Sequence, residues 1–147
     1  MDATTYTGTG SSQSITNAGS FKPDWVWIKC RSAVNDHVLM DSVRGANKVL
    51  SSNLTAAETT NTSLTSFNSN GFSLSGADGS FNANTVTYVG WQWQAGQGTT
   101  SSNTSGSITS TVSVNATAGF SIVSYTGSGA TATVGHGLGV APSMIIL

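Results

Sequence analysis

The sequence predicts an all-β protein, an antiparallel β-sandwich or jelly roll followed by the opening strands of a second copy. Apolar residues recur with period two far more often than with the period of 3.6 that marks a helix. Turn signals such as Asn70-Gly71, Ala77-Asp78-Gly79 and Gly127-Ser128-Gly129 separate the alternating segments. Many short strands at this spacing are typical of sandwiches and jelly rolls. An internal repeat indicates the second copy.

Several segments carry the strand pattern. They are, in chain order, Trp25–Arg31, His37–Asp41, Lys48–Ser51, Phe72–Leu74, Thr87–Gln94, Ile108–Val114, Phe120–Tyr125 and Met144–Leu147. In the first of these, Trp25 and Trp27 share one face while Val26 lies on the other. Trp91 and Trp93 share a face in the same way. The one candidate for a helical turn lies at residues 55–58.

An internal repeat organises the chain. The segment Tyr6-Thr7-Gly8-Thr9-Gly10 recurs as Tyr125-Thr126-Gly127-Ser128-Gly129, at an offset of 119 residues. At the same offset Pro23 meets Pro142, and the chain has only 2 prolines. We therefore predict a β-sandwich unit at residues 1–94. Residues 95–106 are rich in Gly, Ser and Thr, and we predict that they form a flexible linker or a surface loop. Residues 107–147 would be the opening strands of a second, incomplete unit.

The second unit lacks a partner for its apolar faces if it stands alone. It must therefore pack on the first unit, pair with another chain, or continue into further residues. We expect continuation into a longer polypeptide, with a neighbouring chain as the second possibility.

Composition excludes several functions. Charged residues are 7% of the chain, and the formal net charge is -1; an average domain has about 25% charged residues. Five Lys and Arg residues cannot form a phosphate-binding stripe, so we expect no nucleic-acid partner. No apolar run is long enough for a membrane span, so we expect no membrane insertion. The single Cys30 excludes an intrachain disulfide and a cysteine-cluster zinc site.

A family resemblance covers nearly the whole chain. The segments that carry it are Tyr6-Thr7-Gly8, Phe21–Lys29, Asp41-Ser42-Val43-Arg44-Gly45, Leu50–Asn53 with Glu58, Asn70-Gly71-Phe72, Tyr88–Gly96, Ala118–Gly127 and Gly135–Pro142. Together they resemble the repeated β-sandwich domain of tail-fibre and other virion proteins of marine-type tailed bacteriophages. The resemblance implies a concanavalin-like sandwich, a structural role in the virion, and assembly as a trimer or higher homo-oligomer. It implies no catalytic residues.

The four tryptophans are the first candidates for an interaction site. Trp25, Trp27, Trp91 and Trp93 each bring a large apolar surface, so we interpret them as core or subunit interface. Two same-face tryptophans on each strand exceed what one core face needs. The alternative is therefore a platform on which sugar rings stack.

Asp41 and Arg44, with Lys48, form the only local charge cluster. We interpret the first two as an ion pair that holds a loop between two strands, with a ligand or subunit contact as the alternative. Surface pairs of this kind contribute only about 0–1 kcal/mol, so their effect would be orientation. A calcium site at Asp78 would have one carboxylate among amides, which is weak. We predict no metal site, cofactor or catalytic residue.

Two functions stay open at this point. The first is a structural component of a bacteriophage virion, in a tail fibre, appendage or capsid decoration, that acts by protein–protein assembly and in host attachment. The second is a carbohydrate-binding receptor-recognition module for cell-surface glycans. A glycan-cleaving enzyme is a weaker third, because it needs two carboxylates in one cleft and the chain has only 6 acidic residues.

Overall fold

The computed structural model describes residues 1–147 and contains twelve β-strands and no α-helix. The strands are β1 (Asp2–Thr7), β2 (Gln13–Thr16), β3 (Trp25–Cys30), β4 (Val38–Asp41), β5 (Gly45–Ser51), β6 (Thr59–Thr60), β7 (Leu64–Asn68), β8 (Gly71–Leu74), β9 (Thr87–Trp93), β10 (Ser101–Asn103), β11 (Ser110–Asn115) and β12 (Phe120–Tyr125). The all-β prediction is confirmed. The prediction of a helical turn at residues 55–58 is wrong, because this segment is not helical. Its Glu58 forms ion pairs with Arg44 and Lys48 instead of capping a helix. The chain has no helix that could span a membrane.

Two antiparallel sheets form a sandwich from residues 1–94. The larger has six strands in the order β1-β9-β3-β4-β5-β6, and the smaller has three in the order β2-β8-β7. The central pair of the larger sheet is β3 and β9, in the register Trp25 opposite Trp93 and Trp27 opposite Trp91. The strands with the clearest alternation thus lie side by side at the centre of the sheet.

The core lies between these two sheets. It contains twelve buried residues, namely Ile15, Val26, Ile28, Cys30, Val38, Met40, Val49, Leu64, Phe72, Leu74, Phe81 and Tyr88. Each fully buried side chain of this size contributes about 1.5–3 kcal/mol by leaving water. Polar side chains enter the interior as well, and no buried side-chain nitrogen or oxygen lacks a hydrogen-bond partner. Asn17, for example, donates to Gln92 Oε1 over 3.1 Å.

A third sheet, β10-β11-β12, follows the sandwich. It lies on the outer face of the six-stranded sheet, where the Phe120 ring stacks 5.9 Å from Trp25. The segment predicted as a flexible linker or surface loop differs from that expectation, because Ser101–Asn103 form β10 by pairing with β11. The predicted strand Met144–Leu147 is not formed. Its counterpart β3 needs β4 and β9 on either side, and residues 107–147 offer no equivalent neighbours.

Parts of residues 120–147 keep the local geometry of residues 1–28. The offset of 119 residues places β12 on β1, and Gly129 on Gly10. The φ angles of these glycines are 69° at Gly10 and 73° at Gly129. Ser20 and Gly139, at the same offset, also both have positive φ, of 50° and 76°. The repeat in sequence is therefore also a repeat in backbone conformation at its first strand and at these two turn positions.

Alkaline pH is expected to destabilise the protein through Tyr6 and Tyr88. Burial raises the pKa of both hydroxyls, most strongly for Tyr6, and a hydrogen bond from the Ala83 amide only partly opposes this at Tyr88. The unfolded chain releases these protons near the ordinary pKa of about 10, while the folded chain retains them. The contribution of these two tyrosines to the free energy of unfolding is thus complete below about pH 10, and it decreases as the pH rises beyond that value.

Urea unfolding between about pH 8 and about pH 11 measures this loss. The Tyr6→Phe variant lacks the hydroxyl that donates to the Phe81 carbonyl over 2.8 Å, so it should start about 1 kcal/mol less stable. Its stability should then decline less steeply with pH. A decline as steep as that of the unaltered protein would show that Tyr6 does not carry the effect.

Candidate functional site

All four tryptophans meet on the outer face of the six-stranded sheet. Ring centroids of Trp25 and Trp93 lie 4.4 Å apart, and those of Trp27 and Trp91 lie 5.6 Å apart. Trp25 and Trp27 are 6.0 Å apart along β3, so the rings form one continuous patch. All four side chains are partly buried. We call this patch of Trp25, Trp27, Trp91 and Trp93 the aromatic face.

The aromatic face lies opposite the sandwich core, so the interpretation of these tryptophans as core residues is wrong for the sandwich itself. Strand alternation gives the reason, because Val26, Ile28 and Cys30 on β3 point inward and leave the tryptophans pointing outward. The sequence shows that the tryptophans share a face but does not show which face is covered. The interpretation as subunit interface stays a prediction.

The third sheet covers one half of the aromatic face. The Phe120 ring stacks on both Trp25 and Trp93, at 5.9 and 6.3 Å. The other half, Trp27 and Trp91, has no ring contact with the third sheet. There Trp27 Nε1 donates a hydrogen bond to His37 Nδ1 over 3.1 Å. His37 therefore holds the indole of Trp27 in its place on the aromatic face.

The carboxylate of Asp24 connects the sandwich to the segment that leads into the third sheet. Asp24 is 0% exposed. Its Oδ2 accepts hydrogen bonds from the amides of Ala95 and Gln97, at 2.7 and 2.8 Å. Its Oδ1 accepts from the Gly98 amide and from the Ser42 hydroxyl. A buried charge without a cation is stabilised here by a ring of donors, as charged groups in an interior require.

Sequence reasoning did not identify this role of Asp24. Its three backbone partners lie more than 70 positions further along the chain, at Ala95, Gln97 and Gly98. A weak signal was present, because the predicted linker begins with small residues whose amides are sterically accessible. The contact fixes residues 95–98 against the start of β3.

Asp41 and Arg44 form an ion pair beside the aromatic face. Arg44 Nε lies 2.6 Å from Asp41 Oδ2, and Asp41 Oδ1 accepts from the amides of Val43 and Arg44. Arg44 also contacts Glu58 Oε2 at 3.0 Å. Asp41 stands opposite Trp25 in the β3–β4 register, on the same outer face. The pair thus holds the β4–β5 turn against the rim of the aromatic face.

Three further side chains that could carry chemistry are each engaged in local structure. Cys30 is buried and accepts a hydrogen bond from the Ala33 amide. His136 Nδ1 accepts from the Leu138 amide over 3.2 Å. Asp78 accepts from Asn61 and from the Ser80 amide. No three His, Cys, Asp or Glu residues come together as metal ligands would.

A second set of candidate contact residues consists of exposed apolar side chains within residues 107–147. Tyr125 is 46% exposed and Leu147 is 101% exposed, and Val140 and Ile145 are exposed as well. Their counterparts at the offset of 119 residues are Tyr6, Ile28, Phe21 and Val26. In the first unit Val26 and Ile28 are fully buried. We call Tyr125, Val140, Ile145 and Leu147 the open apolar surface.

Replacement of Asp24 by Asn should destabilise the protein by about 2–4 kcal/mol, because the amide group of Asn turns a donor toward the backbone donors of residues 95–98. Urea unfolding followed by tryptophan fluorescence measures the loss. The matched control is Asp36→Asn, since Asp36 accepts only from Asn53 and Asn can do the same.

Limited proteolysis separates a local from a global effect. We expect new cleavage within residues 95–106 in the Asp24→Asn variant at urea concentrations where the sandwich is still folded. Equal stability of the Asp24→Asn and Asp36→Asn variants would show that Asp24 does not hold residues 95–98 against the sandwich.

Comparison with known proteins gives one match. A family described as a domain of unknown function, DUF7483, matches residues 1–147. No curated protein and no solved structure matches the chain. Since the family match extends over the sandwich, the aromatic face and the open apolar surface together, the chain belongs to the DUF7483 family.

Proposed function

We propose that the chain is a structural module of a bacteriophage virion, in a tail fibre, appendage or capsid decoration, that acts by protein–protein assembly and in host attachment. The observation that carries the proposal is the open apolar surface. Its residues stand at positions equivalent to Tyr6, Phe21, Val26 and Ile28 of the first unit, yet they face water. Apolar side chains that are exposed here, although two of their counterparts are fully buried, favour a contact with a partner.

Composition supports the same proposal. A chain with 7% charged residues and net charge -1 has little electrostatic repulsion between copies. The virion assignment itself rests on the resemblance of segments such as Tyr88–Gly96 to phage fibre domains. A trimer or a higher homo-oligomer in contact with other virion proteins is the assembly that this resemblance implies.

The assembly proposal predicts self-association that depends on the open apolar surface. Sedimentation equilibrium of the whole chain should give a mass of a trimer or higher. The double variant Ile145→Lys, Leu147→Lys should shift the protein to a monomer, because two buried charges would oppose the contact. The matched control is Val34→Lys, since Val34 is 102% exposed and lies outside the second unit.

A monomer at all concentrations would contradict the proposed homo-oligomer, and equal dissociation by Val34→Lys would contradict the role of the open apolar surface. The virion assignment has its own measurement. Mass spectrometry of purified phage particles that carry this gene should find peptides of the chain, and their absence would contradict the assignment.

A second candidate function is glycan binding at Trp27 and Trp91, the half of the aromatic face that has no ring contact with the third sheet. Trp27 and Trp91 lie partly exposed and directly opposite each other on β3 and β9. Lys29, which follows on the same face of β3, donates from Nζ to the Asn35 carbonyl. Aromatic rings beside such polar groups suit the apolar face and the hydroxyls of a sugar. The observation that favours this candidate is the absence of any ring contact from the third sheet to Trp27 or Trp91.

Glycan binding predicts a signal that depends on Trp27. A glycan array would identify the sugar, and titration of tryptophan fluorescence would measure the affinity, which Trp27→Ala should reduce about tenfold or more. Trp25→Phe is the control, because Trp25 lies under Phe120. No binding on the array, or equal loss in both variants, would contradict the candidate.

A glycan-cleaving enzyme stays the weakest proposal. Asp41 and Glu58 both bind Arg44, and Asp24 is enclosed by backbone amides. The acidic groups are thus committed to structural contacts.

A further inference from the structure

An open pocket lies in the second unit where the first unit has part of its core. The pocket has a volume of about 580 Å³, and its walls include Ile108, Tyr125, Gly127 and Val134. Its wall from Tyr125 to Val134 corresponds to residues 6–15 at the offset of 119. The first unit therefore shows what belongs in this space.

In the first unit the equivalent space is filled by the segment Phe81-Asn82-Ala83. The Tyr6 hydroxyl donates to the Phe81 carbonyl over 2.8 Å. The Gly10 amide donates to the Asn82 carbonyl over 2.9 Å, and the Thr9 amide donates to Asn82 Oδ1 over 3.1 Å. Three donors of the wall thus bind one short segment.

The wall of the open pocket already has the conformation that makes these contacts. In the first unit the Thr9 hydroxyl donates to the Ser11 carbonyl over 3.0 Å. In the second unit the Ser128 hydroxyl donates to the Ala130 carbonyl over 3.2 Å, at the same offset. Gly10 and Gly129 share a positive φ, of 69° and 73°. The turn is preorganised, which lowers the entropic cost of binding.

Gly127 gives an independent indication of the missing segment. A Cβ at its counterpart Gly8 would lie 2.2 Å from the Ala83 carbonyl oxygen, so only glycine fits there. A Cβ at Gly127 would meet no atom within 4 Å, and its φ is not positive. Nothing within the chain therefore requires glycine at position 127. A segment equivalent to Ala83 would require it.

We propose that this pocket binds a Phe-Asn-Ala segment from a further unit of the same repeat. The occupant's Phe carbonyl accepts from the Tyr125 hydroxyl, its Asn carbonyl accepts from the Gly129 amide, and its Asn side chain accepts from the Ser128 amide. Its Ala carbonyl packs against Gly127. This inference rests on the proposed assembly function and names the partner of the open apolar surface at Tyr125.

The chain's own copy of this segment cannot be the occupant. Phe81 is 1% exposed and Asn82 is 0% exposed within the first unit. Asn82 already donates to Ser11 and Gly76 and accepts from Thr9. The partner is therefore a further unit and not a rearrangement of residues 1–94.

The test supplies a further copy of this segment by completing, in register, the repeat that starts at residue 120. At the offset of 119, position 148 corresponds to Lys29, so residues 29–94 are appended a second time directly after Leu147. Hydrogen exchange is then measured at the amides of Ser128 and Gly129 in the 147-residue chain and in the extended chain. We expect exchange on the order of tenfold slower or more in the extended chain.

The matched variant is Gly127→Ala. In the 147-residue chain it should leave folding and exchange unchanged, because its Cβ meets no neighbour. In the extended chain it should abolish the slower exchange, as Gly8→Ala should unfold the first unit. Unchanged exchange at Gly129 in the extended chain, whether the appended residues fold or not, would overturn the proposal. Slower exchange that survives Gly127→Ala would overturn it too.

This outcome is separable from that of the proposed function. Self-association and presence in particles are measured on the 147-residue chain and on native phage, whereas the pocket is tested within one extended polypeptide. A protected Gly129 in a protein absent from particles would refute the virion role alone.

Discussion

One buried carboxylate, that of Asp24, fixes the position of the third sheet relative to the six-stranded sheet. It lies at the point where the chain enters β3, and it binds the amides of residues 95–98 as the chain leaves β9. Backbone bonds reinforce the contact, since the Asp24 amide donates to the Trp93 carbonyl and the Ser42 amide donates to the Asp24 carbonyl. The direction in which residues 95–98 leave β9 then determines where the third sheet lies. Because of that position, Phe120 contacts Trp25 and Trp93.

The protein has few charges, and its stability depends on apolar burial and on saturated hydrogen bonding. Gln92 is fully buried on β9, where it donates to the Thr4 hydroxyl and accepts from Asn17. Such neutral pairs contribute only about 0.5–1.5 kcal/mol each, but an unpaired member would cost more than that. This network therefore specifies how β1 and β2 meet across the sandwich more than it adds net stability.

Sequence patterning predicts the strands whose two faces differ strongly. β3 and β9 alternate large aromatic residues with buried ones, so both strands and the shared face of their tryptophans could be predicted. β1 and β7 could not be recognised, because polar residues occupy most of their positions and the contrast between faces is small. β10 is a strand only because β11 pairs with it, and local composition cannot show that.

The candidate site was predictable only in part, for the same physical reason. Asp41 and Arg44 are three residues apart, and their ion pair follows from local spacing. The direction of the aromatic face depends on which side of β3 the smaller sheet covers, and the position of Asp24 depends on residues far along the chain. Long-range contacts of this kind leave no periodic signal in a single sequence.

The contact of Phe120 with Trp25 and Trp93 joins two different surfaces, the first strand of one unit and the outer sheet of the unit before it. A contact between unlike surfaces is heterologous and has no twofold axis, so it does not close on itself after two units. The Phe120 side of this contact therefore stays distinct from the side formed by Trp25 and Trp93, and burying half of the aromatic face leaves no second, symmetric copy of the contact on the molecule.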